Sequence, residues 1–440
     1  MGHIQRLLAG SLVLILVTAG TAQEKDQKYW PQWRGPAGTG SAEGANPPFQ
    51  WSEIKNIRWR VEIPGRGHST PIIWKDHVFL TTAIPTGNKL PPRYSEAPGA
   101  HDNLPITQKQ QYVILSINRE DGETRWKKIL QEALPHEGGH NSASLASQSP
   151  VTDGQHVFAF FGSRGIYCLD MKGTLVWKKD LGVMKSKHGH GEGSSPVLHG
   201  DTLVINWDHE GDSFVVALDK NTGRERWRVK REEVTSWATP IVVEHAGSSQ
   251  LVVSGTGRIR SYDLPTGRVI WECGGLSANI VCSPVAGHGM VFAGSSYEKQ
   301  AMMAIQLEGA SGDITDSENV RWSRIRGTPY VPSSLLYKES IYFLRHYQGI
   351  LTRIEAKSGE EKQGPFRLGG IRNVYASPVA AANRIYITDM DGMTMVLSHE
   401  QQPRVLSMNQ LNDSFSASAA IVDKEIYLRG TKRLYCIAED

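Results

Sequence analysis

Two histidines and a glutamate alternate with glycines in one short stretch, His188-Gly-His190-Gly-Glu192. On an extended strand, residues i, i+2 and i+4 point to the same side, so these three side chains would share one face. Two imidazoles and a carboxylate are ligands that Zn²⁺ or another divalent metal accepts. Solvated loop residues that hydrogen-bond across a cavity would show the same pattern. Because no fourth ligand motif accompanies the three residues, we predict no metal site and keep them as ligand-binding candidates.

Other polar and aromatic side chains stand a few residues before a recurring proline motif. They are His, Arg, amide and aromatic residues, which supply the polar and stacking contacts of ligand clefts. The candidate ligand-binding residues are Arg66, His68, His136, His140, Asn141, His188, His190, Glu192, Trp237, Asn279, Tyr330, Arg372, Asn373 and Tyr375. No catalytic residue is assigned among them, because these segments contain no Asp suited to act as a base.

The proline motif recurs through the chain, as Ser/Thr-Pro followed seven residues later by an apolar pair. Its anchors lie at positions 71, 150, 196, 240, 284, 334, 378 and 419, where position 334 holds Ser and position 419 holds Ala instead of Pro. Residues 194–227 show one full unit, four short β-branched or aromatic runs separated by Gly, Asp and Asn turns. A four-stranded repeat of roughly 40–50 residues is typical of a β-propeller blade.

The two ends of the chain each carry part of a further unit. Residues 56–61 match a fourth strand that lacks the first three, and residues 415–440 supply three strands without a fourth. Pairing the two fragments closes the ring and removes an open sheet edge. We therefore predict an all-β, eight-bladed propeller. Its innermost strands converge on a central channel, with the candidate residues at one mouth.

Each unit tends to end in a turn followed by a tryptophan, as in Asp219-Lys-Asn-Thr-Gly-Arg-Glu-Arg-Trp227 and Asp263-Leu-Pro-Thr-Gly-Arg-Val-Ile-Trp271. This phrase resembles the tryptophan-docking motif of the pyrroloquinoline quinone (PQQ) repeat superfamily. The resemblance covers the chain beyond its first residues and implies that each Trp wedges against the neighbouring blade. With Trp237-Ala-Thr-Pro and Val374-Tyr-Ala-Ser-Pro, it is closest to exported single-domain PQQ-like propellers of Planctomycetes and related bacteria.

The resemblance implies two classes of function. Quinoprotein dehydrogenases of the superfamily hold PQQ with Ca²⁺, use a catalytic Asp and often carry a disulfide of adjacent cysteines, which this sequence lacks. The non-catalytic branch, which includes the periplasmic propeller of outer-membrane protein assembly, binds partners. We predict a binding or scaffold module for a small ligand or a periplasmic protein. The alternative is a degenerate PQQ-dependent oxidoreductase, in which Arg66, Arg372 and the histidines would balance the PQQ carboxylates.

The chain divides into three parts. Residues 1–22 have the charged start, apolar core and small-residue cleavage site of a signal peptide, with the predicted cut after Ala22. Residues 23–55, here called the lead-in segment, are too rich in turn formers for a blade, and residues 56–440 form the propeller. No cysteine follows the cut to carry a lipid. We expect a periplasmic or secreted monomer without a membrane anchor. Its mixed charges, net +3, give no argument for nucleic acid.

Four cysteines and two insertions complete the pattern. Cys168 and Cys436 occupy equivalent third-strand positions and are predicted to be buried thiols, whereas Cys273 and Cys282 flank one connection and leave a disulfide open. The insertion at residues 84–111 interrupts the first blade, and the insertion at residues 308–319 extends the fifth. Long loops on a rigid scaffold either cover a site or are tolerated surface, and for the first insertion both remain open.

Overall fold

The structure, a computed structural model, describes residues 28–361 and 363–439. The predicted signal peptide and its cut after Ala22 lie outside the described residues. The described chain is all-β and folds into eight sheets arranged as a propeller, which confirms the predicted fold class. No helix among the described residues is both long and apolar enough to cross a membrane.

Each sheet contains a four-stranded antiparallel meander whose first strand lies innermost. The first blade comprises β2 (Ile72–Trp74), β3 (His77–Thr86), β4 (Lys109–Asn118) and β5 (Thr124–Ala133), and the second comprises β6 (Val151–Thr152), β7 (His156–Phe160), β8 (Ile166–Asp170) and β9 (Leu175–Lys179). The third comprises β10 (Val197–His199), β11 (Thr202–Trp207), β12 (Phe214–Asp219) and β13 (Glu225–Lys230), and the fourth comprises β14 (Ile241–His245), β15 (Ser248–Val253), β16 (Ile259–Asp263) and β17 (Val269–Cys273).

The next three blades repeat the arrangement, and the eighth is shared between the two ends of the chain. The fifth blade comprises β18 (Val285–Gly287), β19 (Met290–Ser295), β20 (Ala301–Gln306) and β22 (Val320–Arg324), and the sixth comprises β23 (Leu335–Tyr337), β24 (Ser340–Leu344), β25 (Ile350–Glu355) and β26 (Gln363–Arg367). The seventh comprises β27 (Val379–Ala381), β28 (Arg384–Thr388), β29 (Met393–Ser398) and β30 (Val405–Gln410), and the eighth comprises β31 (Ala420–Val422), β32 (Glu425–Arg429), β33 (Arg433–Ala438) and β1 (Ile57–Glu62).

The ring closes as the sequence predicted. β1 pairs antiparallel with β33, with Trp59 opposite Cys436 and Val61 opposite Leu434. The innermost strand of each blade contacts those of its two neighbours, and β31 contacts β2 to complete the circle. The inner strands are short and buried, as expected for strands packed around a narrow channel.

Five of the motif tryptophans join neighbouring blades, whereas Trp271 differs from the expectation, because its Nε1 donates to Gln250 Oε1 on β15 of its own blade at 3.2 Å. Trp177, on the outer strand of the second blade, packs on the turn glycine Gly223 of the third blade, and its Nε1 donates to the Lys220 carbonyl at 2.8 Å. Gly223 has φ +68°, and a Cβ there would lie 2.7 Å from the Trp177 ring. The same docking onto the next blade is made by Trp59, Trp126, Trp227 and Trp322. The Asp-x-x-Thr-Gly turn therefore supplies both a carbonyl and a gap for the ring.

A belt of hydroxyl groups encircles the channel one residue before each anchor. Its eight members are Thr70, Ser149, Ser195, Thr239, Ser283, Ser333, Ser377 and Ser418. In seven successive pairs, the backbone N–H of one member donates to the hydroxyl oxygen of the next blade's member at 2.8–3.0 Å. The Ser or Thr of the repeat thus satisfies a buried N–H that no sheet ladder reaches, because the inner strands of neighbouring blades are not paired.

The two insertions have different roles. Residues 87–108 fold back over the mouth of the channel, where Leu104 N donates to the Gly139 carbonyl and Asn103 Nδ2 to the His188 carbonyl. The sequence predicted that the second insertion extends the fifth blade, but the structure shows that it does not. Its residues Gly312–Asp313 form β21, which pairs parallel with β17 on the outer edge of the fourth blade. A connection that leaves its own blade can hydrogen-bond to the neighbour's free edge.

The lead-in segment crosses the face of the propeller opposite that mouth. Trp30 is fully buried and exchanges backbone hydrogen bonds with Ile73. Arg34 enters the channel, where its guanidinium donates to the carbonyls of Pro378 and Ser334 and to that of Thr39. Burial lowers the pKa of Arg34 to about 9. The segment thereby closes the channel from one side.

All four cysteines are free and buried. No disulfide joins Cys273 to Cys282, and the thiol of Cys273 lies 3.6 Å from the sulfur of Met303 instead. Cys168 and Cys436 lie on β8 and β33, the third strands of their blades, as the sequence predicted.

Candidate functional site

The channel opens on one face into a cavity of about 480 Å³. Its walls come from segments between blades, from hairpins joining second to third strands, and from residues 87–108. Trp33 of the lead-in segment and Thr239 line both this cavity and a second cavity of about 520 Å³ on the opposite face, so these two residues lie between the two cavities. The cavity is therefore a blind cup whose floor is made by the belt and Trp33. A volume in this range suits a small ligand.

One wall is a cluster of four imidazoles. His190 lies at its centre, with ring centroids 4.7 Å from His101, 4.8 Å from His140 and 5.3 Å from His188. Burial first, and then the three neighbouring imidazoles, lower the pKa of His190 to about 4. Burial also lowers the pKa of His68, deeper in the wall, to about 3. These two rings are neutral at pH 7.

The histidines and the glutamate of the His188–Glu192 stretch do not lie along an extended strand. Residues Lys187–Gly189 form a 3-10 turn in which His188 adopts φ +56°, so the alternation predicted from the sequence is wrong. Glu192 lies beneath the histidines, where its oxygens accept hydrogen bonds from Ser163 N at 2.8 Å and from the Ser163 hydroxyl. Burial raises the pKa of Glu192 to about 7. Its carboxylate is thus bonded to the adjacent loop, and its Oε1 lies 3.4 Å from Nε2 of His136.

No group of three or more His, Cys, Asp or Glu side chains within the described residues is arranged to hold a metal ion. Instead, two imidazoles of this wall each make a single hydrogen bond to a backbone carbonyl. His188 Nδ1 donates to the Pro98 carbonyl at 3.0 Å and His101 Nδ1 to the Gly99 carbonyl at 2.8 Å. These bonds fix the two rings and leave each Nε2 facing away from the backbone.

The opposite wall is a cluster of four tyrosines. Tyr297 stacks on Tyr330 with ring centroids 6.1 Å apart, and Tyr347 stacks on Tyr375 at 5.4 Å. Burial raises the pKa of Tyr330, and the other three phenols raise it further, which places the four hydroxyl groups near one another. The rings cover each other's faces. None of the four hydroxyls has a hydrogen-bond partner among the described residues.

The cavity contains most, but not all, of the candidates predicted from the sequence. The predicted residues that line it are His68, His140, His188, His190, Glu192, Trp237, Asn279, Tyr330 and Tyr375. Trp237 is held by its Nε1, which donates to the Gly191 carbonyl at 2.7 Å. The structure therefore brings nine of the fourteen candidates to one cavity.

The remaining five candidates lie outside it. Arg66 turns away and donates to the Asn141 carbonyl at 2.7 Å, and Asn141, Arg372 and Asn373 are all exposed. His136 lies below the floor of the histidine wall, where its Nε2 donates to the Met184 carbonyl at 2.9 Å. The two arginines predicted as countercharges are thus absent from the lining.

Several lining residues were missed by the sequence reasoning. Tyr297 and Tyr347 lie in hairpins between second and third strands, which in an antiparallel blade open on the same face as the connections between blades. That topological rule, applied to the repeat, could have found them. His101 and Asp102 come from the first insertion and Trp33 from the lead-in segment. The sequence holds no short-range signal for where those two segments fold.

Comparisons with known proteins agree with the fold. Residues 109–365 match a family model described as outer membrane protein assembly factor BamB. BamB from Moraxella catarrhalis aligns over 82% of this chain and 97% of its own length, with a TM-score of 0.52 and 14% sequence identity, a likeness of fold. A europium-containing methanol dehydrogenase aligns over 94% of this chain and 99% of its own, with a TM-score of 0.47 and 12% identity.

One curated relative shares a short stretch. A lanthanide-dependent methanol dehydrogenase of Methylacidiphilum fumariolicum (strain SolV) is 37% identical over 67 residues. The stretch amounts to 14% of this chain and 11% of the relative. A match that spans about a tenth of the relative's length is a likeness of one part of the repeat array.

Proposed function

Because the chain belongs to the family described as outer membrane protein assembly factor BamB, we propose that it is an exported binding propeller that holds a small ligand in the channel-mouth cavity. The observation that carries the proposal is the blind cavity itself, walled by the histidine and tyrosine clusters and floored by Trp33. A concave site with a few converging polar groups on a rigid scaffold is the usual form of a ligand site.

The quinoprotein alternative requires residues that fit PQQ and a divalent or trivalent cation. PQQ is a tricarboxylate, yet among the described residues that line the cavity none is Lys or Arg. His68 and His190 are neutral, because burial lowers the pKa of both well below 7. Ca²⁺ takes six to eight oxygen ligands, commonly carboxylates. The lining offers Asp102 and Glu192, and Glu192 is already bonded to Ser163. The residues present do not fit this cofactor.

A second candidate partner is a protein docked on the same face. Large apolar side chains are exposed in loops around the cavity mouth: Tyr94 is 65% exposed, Val183 55%, Tyr297 50% and Ile325 74%. Exposed apolar side chains grouped on one face favour a protein contact. The family description, an assembly factor, is consistent with a protein partner. A photo-crosslinking residue at position 325, compared with one at exposed Ile54 in the lead-in segment, tests this candidate.

The experiment for the proposed function is a thermal-shift titration of the purified chain. The panel contains PQQ with and without Ca²⁺, neutral sugars and primary amines. A ligand of the cavity raises the melting temperature saturably by mass action, and His190→Ala abolishes the shift. His199→Ala, on the opposite face, is the matched control and retains it. A panel without any saturable shift, or shifts indifferent to His190→Ala, contradicts a small-ligand site.

A further inference from the structure

Two atoms in the cavity wall are buried and lack hydrogen-bond partners. Asn279 is 7% exposed, and its Oδ1 has no partner. The Nε2 of His190 is likewise buried without one. A neutral imidazole nitrogen either donates or accepts one hydrogen bond, so the His190 ring can pair with a group of either kind. An unmade buried hydrogen bond costs about 1–3 kcal/mol. A ligand that carries hydroxyls would remove both costs if a small side-chain rotation brought these atoms, which have less than 1 Å² of accessible surface, to the cavity wall.

The neighbouring groups extend the same chemistry. In their neutral forms His101 and His188 donate through Nδ1 to backbone carbonyls, which leaves two more Nε2 acceptors beside His190. Across the cavity, the four phenol hydroxyls of the tyrosine cluster are free to donate or accept. The wall therefore alternates acceptors and hydroxyls and needs a ligand that carries both donors and acceptors.

The belt contributes donors from the floor. Each belt hydroxyl that accepts a backbone N–H has its own hydrogen free to be donated elsewhere. Six of these hydroxyl residues line the cavity: Ser195, Thr239, Ser283, Ser333, Ser377 and Ser418. The bonds that hold the blades together thus also orient oxygens around the bottom of the cup.

The charges of the lining residues restrict the class of ligand further. An anion would find hydroxyl donors in the described lining but no Lys or Arg to balance its charge. A cation would find Asp102, which is exposed, and Glu192, whose oxygens are taken by Ser163. Stacking within the two tyrosine pairs covers one face of each ring, which leaves fewer faces for a cation. The site therefore favours an uncharged molecule over either ion.

We propose that the ligand of this cavity is a neutral carbohydrate, whose hydroxyls satisfy Asn279 and the histidine wall while its apolar ring faces pack on Trp237. This inference rests on the proposed function and names its ligand class. A hydroxyl is donor and acceptor at once, so a sugar can pair with either end of the Asn279 amide. The volume of about 480 Å³ accommodates a mono- or disaccharide.

The test uses the intrinsic tryptophan fluorescence of the full purified chain, to which the two half-buried cavity tryptophans, Trp33 and Trp237, contribute among twelve. The probes are glucose, galactose, maltose and cellobiose, with PQQ and an alkylamine as charged comparisons. We expect at least one sugar to change the fluorescence saturably. Asn279→Gly should weaken its binding about tenfold, the effect of losing one well-placed hydrogen bond.

Asn373→Gly is the matched control. Asn279 and Asn373 both adopt left-handed backbone, φ +60° and +49°, which glycine accepts, so neither substitution strains the fold. Asn373 is exposed and lies outside the lining, and its replacement should leave affinity unchanged.

The outcomes separate the two proposals. Sugar binding lost in Asn279→Gly and kept in Asn373→Gly supports both. PQQ or the amine binding in place of every sugar, with the same dependence on Asn279, overturns the carbohydrate and keeps the small-ligand site. Sugar binding that is indifferent to Asn279 overturns the carbohydrate proposal and leaves the small-ligand site to the His190→Ala test. If no probe binds, both proposals fail and the protein partner becomes the leading candidate.

Discussion

Glu192→Gln should stabilise the protein at neutral and alkaline pH. The Glu192 carboxyl lies under the histidine wall, and burial raises its pKa from 4.5 to about 7. Below pH 4.5 it is protonated in both the folded and unfolded chain and costs nothing. Between pH 4.5 and 7 the unfolded chain releases the proton while the folded chain retains it, so stability falls as pH rises. Above pH 7 the loss levels off.

The size of the effect follows from the shift. A difference of about 2.5 pKa units corresponds to about 3 kcal/mol of unfolding free energy above pH 7. Glutamine has the same shape and can accept from Ser163 N, but it cannot ionise. The two amide hydrogens would rearrange the bond to the Ser163 hydroxyl, and that cost, about 1 kcal/mol, is independent of pH. The diagnostic quantity is therefore the change with pH, not the offset.

Urea unfolding of the native chain and of the Glu192→Gln variant from pH 5 to pH 9 measures how the difference in unfolding free energy changes with pH. The variant's stability relative to the native chain should rise by about 2–3 kcal/mol across this range, most of it before pH 7.5. Glu132→Gln, an exposed glutamate on β5, is the control and should show no such rise. A flat difference between the Glu192 variant and the native chain would refute the reasoning, because a carboxyl with an ordinary pKa gives no pH-dependent gain.

Three further predictions concern the ring. Gly223→Ala forces a Cβ against Trp177 at φ +68° and should cost about 2–4 kcal/mol, whereas Gly289→Ala, also at positive φ but with open space around it, should cost about 1, both measured by urea unfolding. Ser283→Ala leaves the Thr239 N–H without its acceptor and should cost about 1–3 kcal/mol, while Ser283→Thr keeps the hydroxyl and should be near neutral. The four buried thiols should react with a thiol reagent only after unfolding, and rapid reaction of the native chain would contradict their burial.

The fold was readable from the sequence because each blade is specified locally. Four strands and their turns lie within about 45 residues, so alternation and turn residues identify the unit without long-range information. The split blade was also visible, since residues 56–61 and 415–440 complement each other. The reason for the recurring Ser or Thr before each anchor was not visible in the sequence, where it looked like a small channel residue. It is in fact an acceptor for its neighbour's N–H, a contact between units about 44 residues apart.

The site was less predictable for a physical reason. Residues just before the anchors are placed by the repeat, and most of those predicted do line the cavity. The direction of a side chain within a glycine-rich connection depends on local turns, and His188 at φ +56° shows how one left-handed residue breaks an inferred alternation. Arg66 was expected in the channel but pairs with a carbonyl outside it. The position of a residue just before an anchor determines the face of the propeller on which it lies, but it does not determine which atoms its side chain contacts.

The parts of the chain that lie outside the repeat give the cavity its shape. Without Trp33 of the lead-in segment, the channel would lead through to the opposite face, and without residues 87–108 the histidine wall would lack His101. Both segments attach to the ring through backbone hydrogen bonds, at Ile73 and at Gly139, and neither forms part of an inner strand. The ring can therefore keep its geometry while these two segments change, and ligand choice is free to differ among propellers that share the same eight blades. That independence is why family membership shows the architecture here, whereas the ligand has to be argued from the cavity's own unpaired atoms.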